Sequence, residues 1–238
     1  TYDVCQVRSG KRQGAVDYVT LAHRWQIPLH KAKNMVQRTT QRGVRTVLYP
    51  TLSRRFRTND RMLRYRRLPC NLFSNTMFCP KVPSARGYKM AQIFATDFGW
   101  SRCYPMTRKS EAHEALGLLF GREGVPPKMI VDNAKEMKMG EFARKCKEAS
   151  CYLQSTEPYS PWSNSAEREI RELKKGATWK LTPSGVPHWL WCFALEYESY
   201  VHSHTAHDIY QLDARVPYTI VSGETTVLAH SVNLAFWT

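Results

Sequence analysis

The succession of short apolar segments between residues 71 and 154 most constrains what this chain can fold into. The predicted strands cover residues 71–78, 88–98, 101–106, 128–131 and 151–154. The first three follow one another closely, as in a hairpin meander, and have the apolar and aromatic content of strands. The last two alternate with stretches of helical periodicity at residues 110–120, where Ser110 is the predicted cap, and 140–149. This order predicts an α/β layer with a mixed sheet.

The size and composition of the chain set broad limits on its class. Its 238 residues are 42% hydrophobic, enough for one substantial core and a small second module. No run of eighteen apolar residues and no signal peptide occurs, which argues against a membrane span and against secretion. The seven cysteines form no CxxC pair, so we interpret them as reduced thiols of an intracellular protein. Because residue 1 is not methionine, we expect a piece of a longer polyprotein.

The net charge of +15 is distributed unevenly along the chain. Residues 1–89 hold 19 basic and 3 acidic residues, whereas residues 90–238 are nearly neutral, with 16 basic and 17 acidic residues. A basic segment attached to a balanced globular body is typical of a protein that binds a polyanion, most often nucleic acid. An anionic membrane surface is the alternative, but no strongly amphipathic Lys/Trp helix supports it.

Two short helices are predicted between residues 17 and 40, with a break at Pro28 and a stop at Gly43. The second is basic, which gives the outline of a helix-turn-helix that reads a DNA groove, although any small helical hairpin has the same outline. His23 and His30 are candidate metal ligands, but no matching cysteine pair follows them. Ordinary histidines on helix faces are the simpler interpretation.

An arginine-rich segment covers residues 44–68 and contains one acidic residue, Asp60. It is too charged to be core, and arginine makes bidentate contacts with phosphate, so we predict an arm lying on a nucleic-acid backbone. A merely solvated charge run is the alternative. The candidate phosphate-binding residues are Arg54, Arg55, Arg57, Arg64, Arg66 and Arg67.

The stretch from Thr156 to Lys175 begins as a proline-bounded loop and becomes a helix that Ser163, Asn164 or Ser165 can cap. Four apolar positions with helical spacing form one face toward a core: Ala166, Ile170, Leu173 and Ala177. The adjacent face carries Glu167, Arg171 and Lys174. Taken alone, that face is equally consistent with a surface helix stabilised by Glu–Arg pairs.

Two acidic residues have positions that suit catalysis. Asp132 comes at the carboxyl end of a buried strand, where α/β sheets place ligand-binding side chains, and Glu167 follows 35 positions later near a helix start. Divalent cations such as Mg²⁺ take oxygen ligands, and two such ions activate the attacking oxygen and stabilise the leaving oxygen of a phosphoryl transfer.

The segments Val131-Asp132-Asn133 and Pro158-Tyr-Ser-Pro-Trp-Ser-Asn-Ser-Ala-Glu-Arg168, followed by Arg171 and Lys174, resemble the catalytic core of retroviral and retrotransposon integrases, most closely those of copia-type elements. The similarity covers roughly residues 70–238. It implies a ribonuclease H-like fold with a mixed five-stranded sheet flanked by helices, a two-metal site for Mg²⁺ or Mn²⁺, and DNA strand transfer. We therefore expect a basic helical N-terminal region and linker at residues 1–68 and the core at residues 69–238.

The resemblance also implies a third carboxylate on the first strand, and this chain has Asn75 there, 57 positions before Asp132. An amide has one oxygen and no charge, so it cannot bridge two cations as a carboxylate does. We therefore predict impaired catalysis. Asp97 is a poor substitute, because the direction of its strand should place it toward the other end of the sheet.

The resemblance assigns further roles and leaves alternatives. It implies that Arg171, Lys174 and Lys175 lie along DNA phosphates and that Asn164 and Ser165 shape the loop over the scissile phosphate. We expect element-end and target DNA as partners, self-association, a nuclear location and no structural zinc, since no His-His-Cys-Cys module is recognisable. A non-catalytic DNA-binding relic and a ribonuclease H-like nuclease are the alternatives.

Overall fold

The computed structural model describes residues 16–38, 65–79, 82–132, 134–156, 165–209 and 215–224, together with residues 212 and 226. Within these ranges, no helix has the length and apolar character that crossing a membrane requires. The predicted arginine contacts at residues 54, 55, 57 and 64 fall outside the described residues, as does Asn164.

One five-stranded sheet forms the centre of the fold, in the order β3-β2-β1-β4-β5. Its strands are β1 (Leu72–Phe78), β2 (Met90–Ala95), β3 (Ser101–Met106), β4 (Lys128–Val131) and β5 (Tyr152–Ser155). The hairpin-connected strands pair antiparallel, β1 with β2 and β2 with β3. The later strands pair parallel, β1 with β4 and β4 with β5. The sheet is therefore mixed, and the predicted ribonuclease H-like α/β class is confirmed.

Helices cover both faces of this sheet. They are α1 (Tyr18–Trp25), α2 (Leu29–Arg38), α3 (Ala112–Arg122), α4 (Lys135–Lys138), α5 (Glu141–Glu148), α6 (Ser165–Ser184), α7 (Trp191–His204) and α8 (Pro217–Ser222). The predicted cap of α3 is wrong. A 3-10 turn over Lys109–Glu111 precedes the helix, and Glu111 accepts a bond from the Thr107 amide at 2.8 Å in place of a cap by Ser110.

Strand alternation divides the core into two layers. Leu72, Phe94 and Val131 pack with α3 and α5 on one face of the sheet. Met77 and Ile93 pack with Leu173, Ala177 and Leu181 of α6, and with α7, on the other. The apolar face predicted for α6 is therefore confirmed, and the helix continues two turns beyond Ala177.

The two N-terminal helices are present, with the predicted break at Pro28, and pack on the core, while the predicted stop at Gly43 falls outside the described residues. Asp17 caps α1 by accepting a bond from the Thr20 amide at 3.3 Å. Leu21, Trp25 and Met35 share an apolar cluster with Val201 of α7 and with Val216. His30 Nε2 also lies 3.5 Å from Asp208 Oδ2. The helical hairpin thus contacts the C-terminal part of the core, while its groove-reading role stays a prediction.

Candidate metal site and nucleic-acid interface

Strand register brings Asn75 and Asp132 side by side. β1 and β4 run parallel with Ser74 opposite Val131, so the next residue of each strand occupies the same level of the sheet. Parallel neighbours at one level project to the same face. Asn75 therefore lies within the central strand and Asp132 directly follows the carboxyl end of its neighbour, and their meeting at one level stays a prediction from this register.

Both side chains belong to the face of the sheet that α6 covers. Asn75 is opposite Ile93, which lies in the α6 cluster, whereas the flanking Ser74 bonds to Gln92 beneath the other layer. The Asn75 amide oxygen accepts a bond from the Thr76 amide at 2.7 Å. Asp132 Oδ1 accepts one from the Ala134 amide at 3.2 Å. These short local bonds orient the oxygen of Asn75 within β1 and that of Asp132 just after β4.

Asp97 lies toward the other end of the sheet, as its strand direction predicted. It follows β2, whose last residue, Ala95, is opposite Phe73. Residue numbers increase in opposite directions along two antiparallel strands. Asp97 is therefore level with position 71, which is four residues before Asn75 on β1. Strands rise by about 3.3 Å per residue, so roughly 13 Å separates the two levels. Asp97 therefore does not take the place of the missing carboxylate.

Glu167 belongs to the first turn of α6 and is partly exposed. The helix crosses the same face of the sheet, because its later residues Leu173 and Ala177 pack on β1 and β2. The neighbouring Arg168 donates to the Asp97 carbonyl oxygen at 2.6 Å, which fixes the start of α6 against the β2–β3 turn. Glu167 thus shares a face with Asn75 and Asp132, and its convergence with them stays a prediction.

The predicted basic surface of α6 is present as an exposed face. Arg171, Lys174 and Lys175 are all exposed, and Ser165 is half-buried at the helix start. These three cations point away from the buried Leu173 and Ala177. One helix therefore combines an apolar face on the sheet with a cationic face toward solvent.

Arg66 and Arg67 have structural contacts that the sequence did not predict. Arg66 Nη2 donates to the Ser222 carbonyl oxygen, and Arg67 Nη1 lies 3.4 Å from the Ser150 carbonyl oxygen. The adjacent Leu68 is buried in the main core and bonds to Val125. The end of the arginine-rich segment is therefore part of the folded body. A guanidinium has five N–H donors, so each arginine keeps further donors for phosphate.

The residues of this site fit a divalent cation only in part. Asp132 and Glu167 offer carboxylates and Asn75 offers an amide oxygen, all of them hard donors of the kind that Mg²⁺ and Mn²⁺ take. Among the described residues, no group of three or more His, Cys, Asp or Glu side chains is arranged to hold a metal ion. Brought together, the three would supply part of one cation's shell, with water completing it, but they lack the bridging carboxylate that a second cation needs.

Sequence reasoning missed a buried pair of ionisable groups near the start of α6. Glu169 is 3% exposed, and its Oε1 lies 2.8 Å from His202 Nδ1. The Gly99 carbonyl oxygen lies 3.1 Å from the same nitrogen, so this nitrogen has two nearby acceptors. Burial lowers the pKa of His202, but the Glu169 carboxylate more than offsets this, and the pKa is raised overall.

A second buried pair joins α6 to α7. Lys180 Nζ donates to Glu198 Oε2, and the two side chains are only 5% and 11% exposed. Gly176 makes room for this pair, because a Cβ there would lie 2.2 Å from Glu198 Oε1. A glycine four residues before a lysine in an amphipathic helix was the available sequence signal. It has too many other meanings to identify a buried ion pair.

Comparisons with known proteins give fold similarity alone. No family model and no curated protein matches the chain. A chain of the simian T-cell lymphotropic virus intasome, in complex with PP2A regulatory subunit B56 gamma, is 19% identical with a TM-score of 0.48, over 60% of this chain and 51% of that one. The catalytic core domain of BIV integrase is 14% identical with a TM-score of 0.49, over 64% and 93%.

The present chain spans about half the length of the intasome chain. Because both TM-scores lie below 0.5, family and function are inferred from the residues of this chain.

Proposed function

We propose that this chain is an integrase-type polynucleotidyl transferase of a copia-type retroelement, which processes DNA 3′ ends and transfers them to target DNA. The observation that supports the proposal is the parallel register of β1 and β4, in which Ser74 is opposite Val131 and Asn75 and Asp132 are the next residues along. Glu167 comes from α6, a helix whose exposed side is cationic. Carboxylates beside a row of cations suit a reaction at a phosphodiester.

Each site residue has a distinct role in this proposal. Asp132 and Glu167 hold the catalytic Mg²⁺ or Mn²⁺, while Asn75 contributes only a neutral oxygen. When bound, the cations supply activation of the attacking oxygen and stabilisation of the leaving oxygen. Because Asn75 cannot bridge two cations, the natural chain has strongly reduced activity compared with a chain that has aspartate at this position.

The cationic face of α6 orients the DNA. Arg171, Lys174 and Lys175 contact phosphates, and Asn164 and Ser165 position the loop over the scissile bond. Phosphate contacts set register and orientation without reading sequence, which suits an enzyme that joins element ends to varied targets. The proposal includes self-association and action in the nucleus.

Restoration of the missing carboxylate tests the proposal. A labelled duplex resembling an element end is incubated with Mn²⁺ and either the natural chain or Asn75→Asp, and transferred and nicked products are counted. We expect Asn75→Asp to react faster by roughly a hundredfold, since a bridging ligand lowers the activation barrier by several kcal/mol. The double variant Asn75→Asp/Asp132→Asn is the control and should lose the gain. Equal rates for the natural chain and Asn75→Asp would contradict the assignment of Asn75.

A non-catalytic DNA-binding protein is the second candidate, and Asn75 itself favours it. Binding that weakens with salt does not separate the candidates, because both use the same cations. Metal-dependent nicking by Asn75→Asp separates them. An RNA–DNA hybrid in the same assay tests the third alternative, a ribonuclease H-like nuclease, which would prefer the hybrid to the duplex.

A further inference from the structure

An apolar groove of about 450 Å³ opens beside the cationic face of α6. The buried side chains of Met77, Ala177, Leu181 and Leu195 form its floor, and Trp191 lies at one side. This volume lies within the usual range for small-molecule sites, which is roughly 300–1,000 Å³. The groove lies on the same face of the sheet as Asn75 but is lined by none of the three predicted catalytic residues.

Hydrogen bonds hold the walls of the groove in place. The Trp191 indole N–H donates to the Val82 carbonyl oxygen at 3.2 Å. The Ala85 amide donates to the Trp189 carbonyl oxygen at 2.8 Å, which anchors the loop before β2 to the start of α7. Cys79, a further lining residue, donates its amide to the Lys89 carbonyl oxygen at 3.2 Å. The groove is therefore preformed, which lowers the entropic cost of filling it.

The rim of the groove carries the cation of Lys174. Lys174 and His188 line it and are exposed, so the Lys174 ammonium belongs both to the groove and to the proposed DNA surface. Burial raises the pKa of Cys79 to about 12, and the nearby Lys174 opposes that rise without cancelling it. The thiol wall is thus uncharged at neutral pH. An apolar floor with an indole and a cationic rim complements a flat base that carries a phosphate.

We propose that this groove holds one unpaired nucleotide of the DNA that lies along α6, with its base on the apolar floor beside Trp191 and its phosphate at Lys174. The inference rests on the proposed function, because it requires DNA on the cationic face. Paired bases in duplex DNA do not expose a face, so the occupant must be single-stranded. Stacking of a base on aromatic side chains tolerates any sequence, and the groove would therefore select for an unpaired end rather than for a sequence.

Two threonines of α6 provide a matched test. Thr178 lines the groove and Thr182 does not, yet both are exposed and both donate their hydroxyl to the carbonyl oxygen four residues earlier, at 2.8 and 2.9 Å. Thr178→Phe should fill the groove, and Thr182→Phe makes the same change one turn away. Affinities are measured for a blunt duplex and for the same duplex with a short single-stranded tail, in which 2-aminopurine replaces one unpaired base.

The natural chain should bind the tailed duplex about tenfold more tightly than the blunt one, as base stacking on protein permits, and should quench the 2-aminopurine fluorescence. Thr178→Phe should lose the preference and the quenching while its affinity for the blunt duplex is unchanged, and Thr182→Phe should keep both.

Binding of both duplexes with equal affinity by the natural chain would overturn the inference and leave the proposed function standing. The absence of any DNA binding would overturn both. Altered self-association of Thr178→Phe, with the tail preference intact, would assign the groove to a protein contact and overturn the inference.

Discussion

The two faces of helix α6 use charged residues in opposite ways. On the outer face, Glu167 is partly exposed and Lys174 and Lys175 point to solvent. On the inner face, Glu169 and Lys180 are buried and contact His202 and Glu198 of α7. An exposed charge is solvated and adds little to stability, whereas a buried charge must keep its partner. The outer face is therefore available for ligands, and the inner face holds the helix on the core.

This contrast also explains why the site has a rigid support. Two contacts attach α6 to α7. Glu169 contacts His202 near the turn that carries Glu167, and Lys180 contacts Glu198 further along the helix. Gly176 lies between them and lets Glu198 approach the helix backbone. A functional side chain on a well-packed helix keeps its direction better than one on a loop. The buried ions thus serve the proposed site indirectly, by fixing the helix on which it depends.

Removal of the buried cation should have the largest effect. Lys180→Met leaves the Glu198 carboxylate buried without its partner, and loss of one member of a buried pair costs about 3–5 kcal/mol. We expect that decrease in the free energy of unfolding, measured by urea titration, with unchanged DNA affinity of the folded fraction. Lys175→Met is the matched control on the exposed face of the same helix.

The control should behave in the opposite way. Lys175→Met should change the free energy of unfolding by no more than about 0.5 kcal/mol, as surface substitutions usually do, and should weaken DNA binding and its dependence on salt. Similar stability losses in the two variants would abolish the distinction between the two faces of α6.

The Glu169–His202 contact should have a smaller effect that depends on pH. Burial lowers the pKa of His202, but the Glu169 carboxylate offsets this effect. The pKa is therefore raised above its ordinary value of 6.5. A histidine whose folded-state pKa is raised stabilises the fold fully below the unfolded-state pKa, and this contribution is lost as pH rises through the folded-state pKa. Glu169→Gln should therefore cost about 1 kcal/mol at pH 5.5 and markedly less at pH 9.

Two neighbouring histidines also change stability with pH, so the variant must be compared with the natural chain at each pH. Burial lowers the pKa of His204 to about 4 and that of His207 to about 3, so both destabilise the fold as pH falls below about 6.5. Both remain in Glu169→Gln, but the charge of His202 itself lowers the pKa of His207, so the difference between the two stability curves reports His202 together with its effect on His207. A cost of Glu169→Gln that is the same at both pH values would show that the carboxylate acts by packing and not by charge.

The sequence predicted the features that depend on local pattern. The five strands and the apolar face of α6 follow from alternation and helical spacing, which are short-range rules. The choice of Asn75 as a site position came from the family resemblance, and its meeting with Asp132 stays a prediction. The buried pairs were not predictable, because Lys180 and Glu198 are 18 positions apart and meet only through the packing of two helices. The cap predicted for α3 was wrong for a related reason. The hydrogen bond at the start of this helix runs from the Thr107 amide to the Glu111 carboxylate and does not involve the Ser110 side chain.

The smallest stability effect is expected at the residue most important for the proposed chemistry. Glu167 is half-buried in the first turn of α6, and no hydrogen bond or ion pair of its side chain with another described residue is present. Its charge near the helix N-terminus contributes a few tenths of a kcal/mol, so Glu167→Gln should cost about 0.5 kcal/mol.

In the background of Asn75→Asp, the same change should remove metal-dependent transfer. Thermal unfolding with and without Mn²⁺ provides a second measurement: Mn²⁺ should stabilise Asn75→Asp and should stabilise Asn75→Asp/Glu167→Gln much less. A large loss of stability without metal would instead place Glu167 with Glu169 and Lys180 among the structural charges, and the contrast between the two faces of the helix would then disappear.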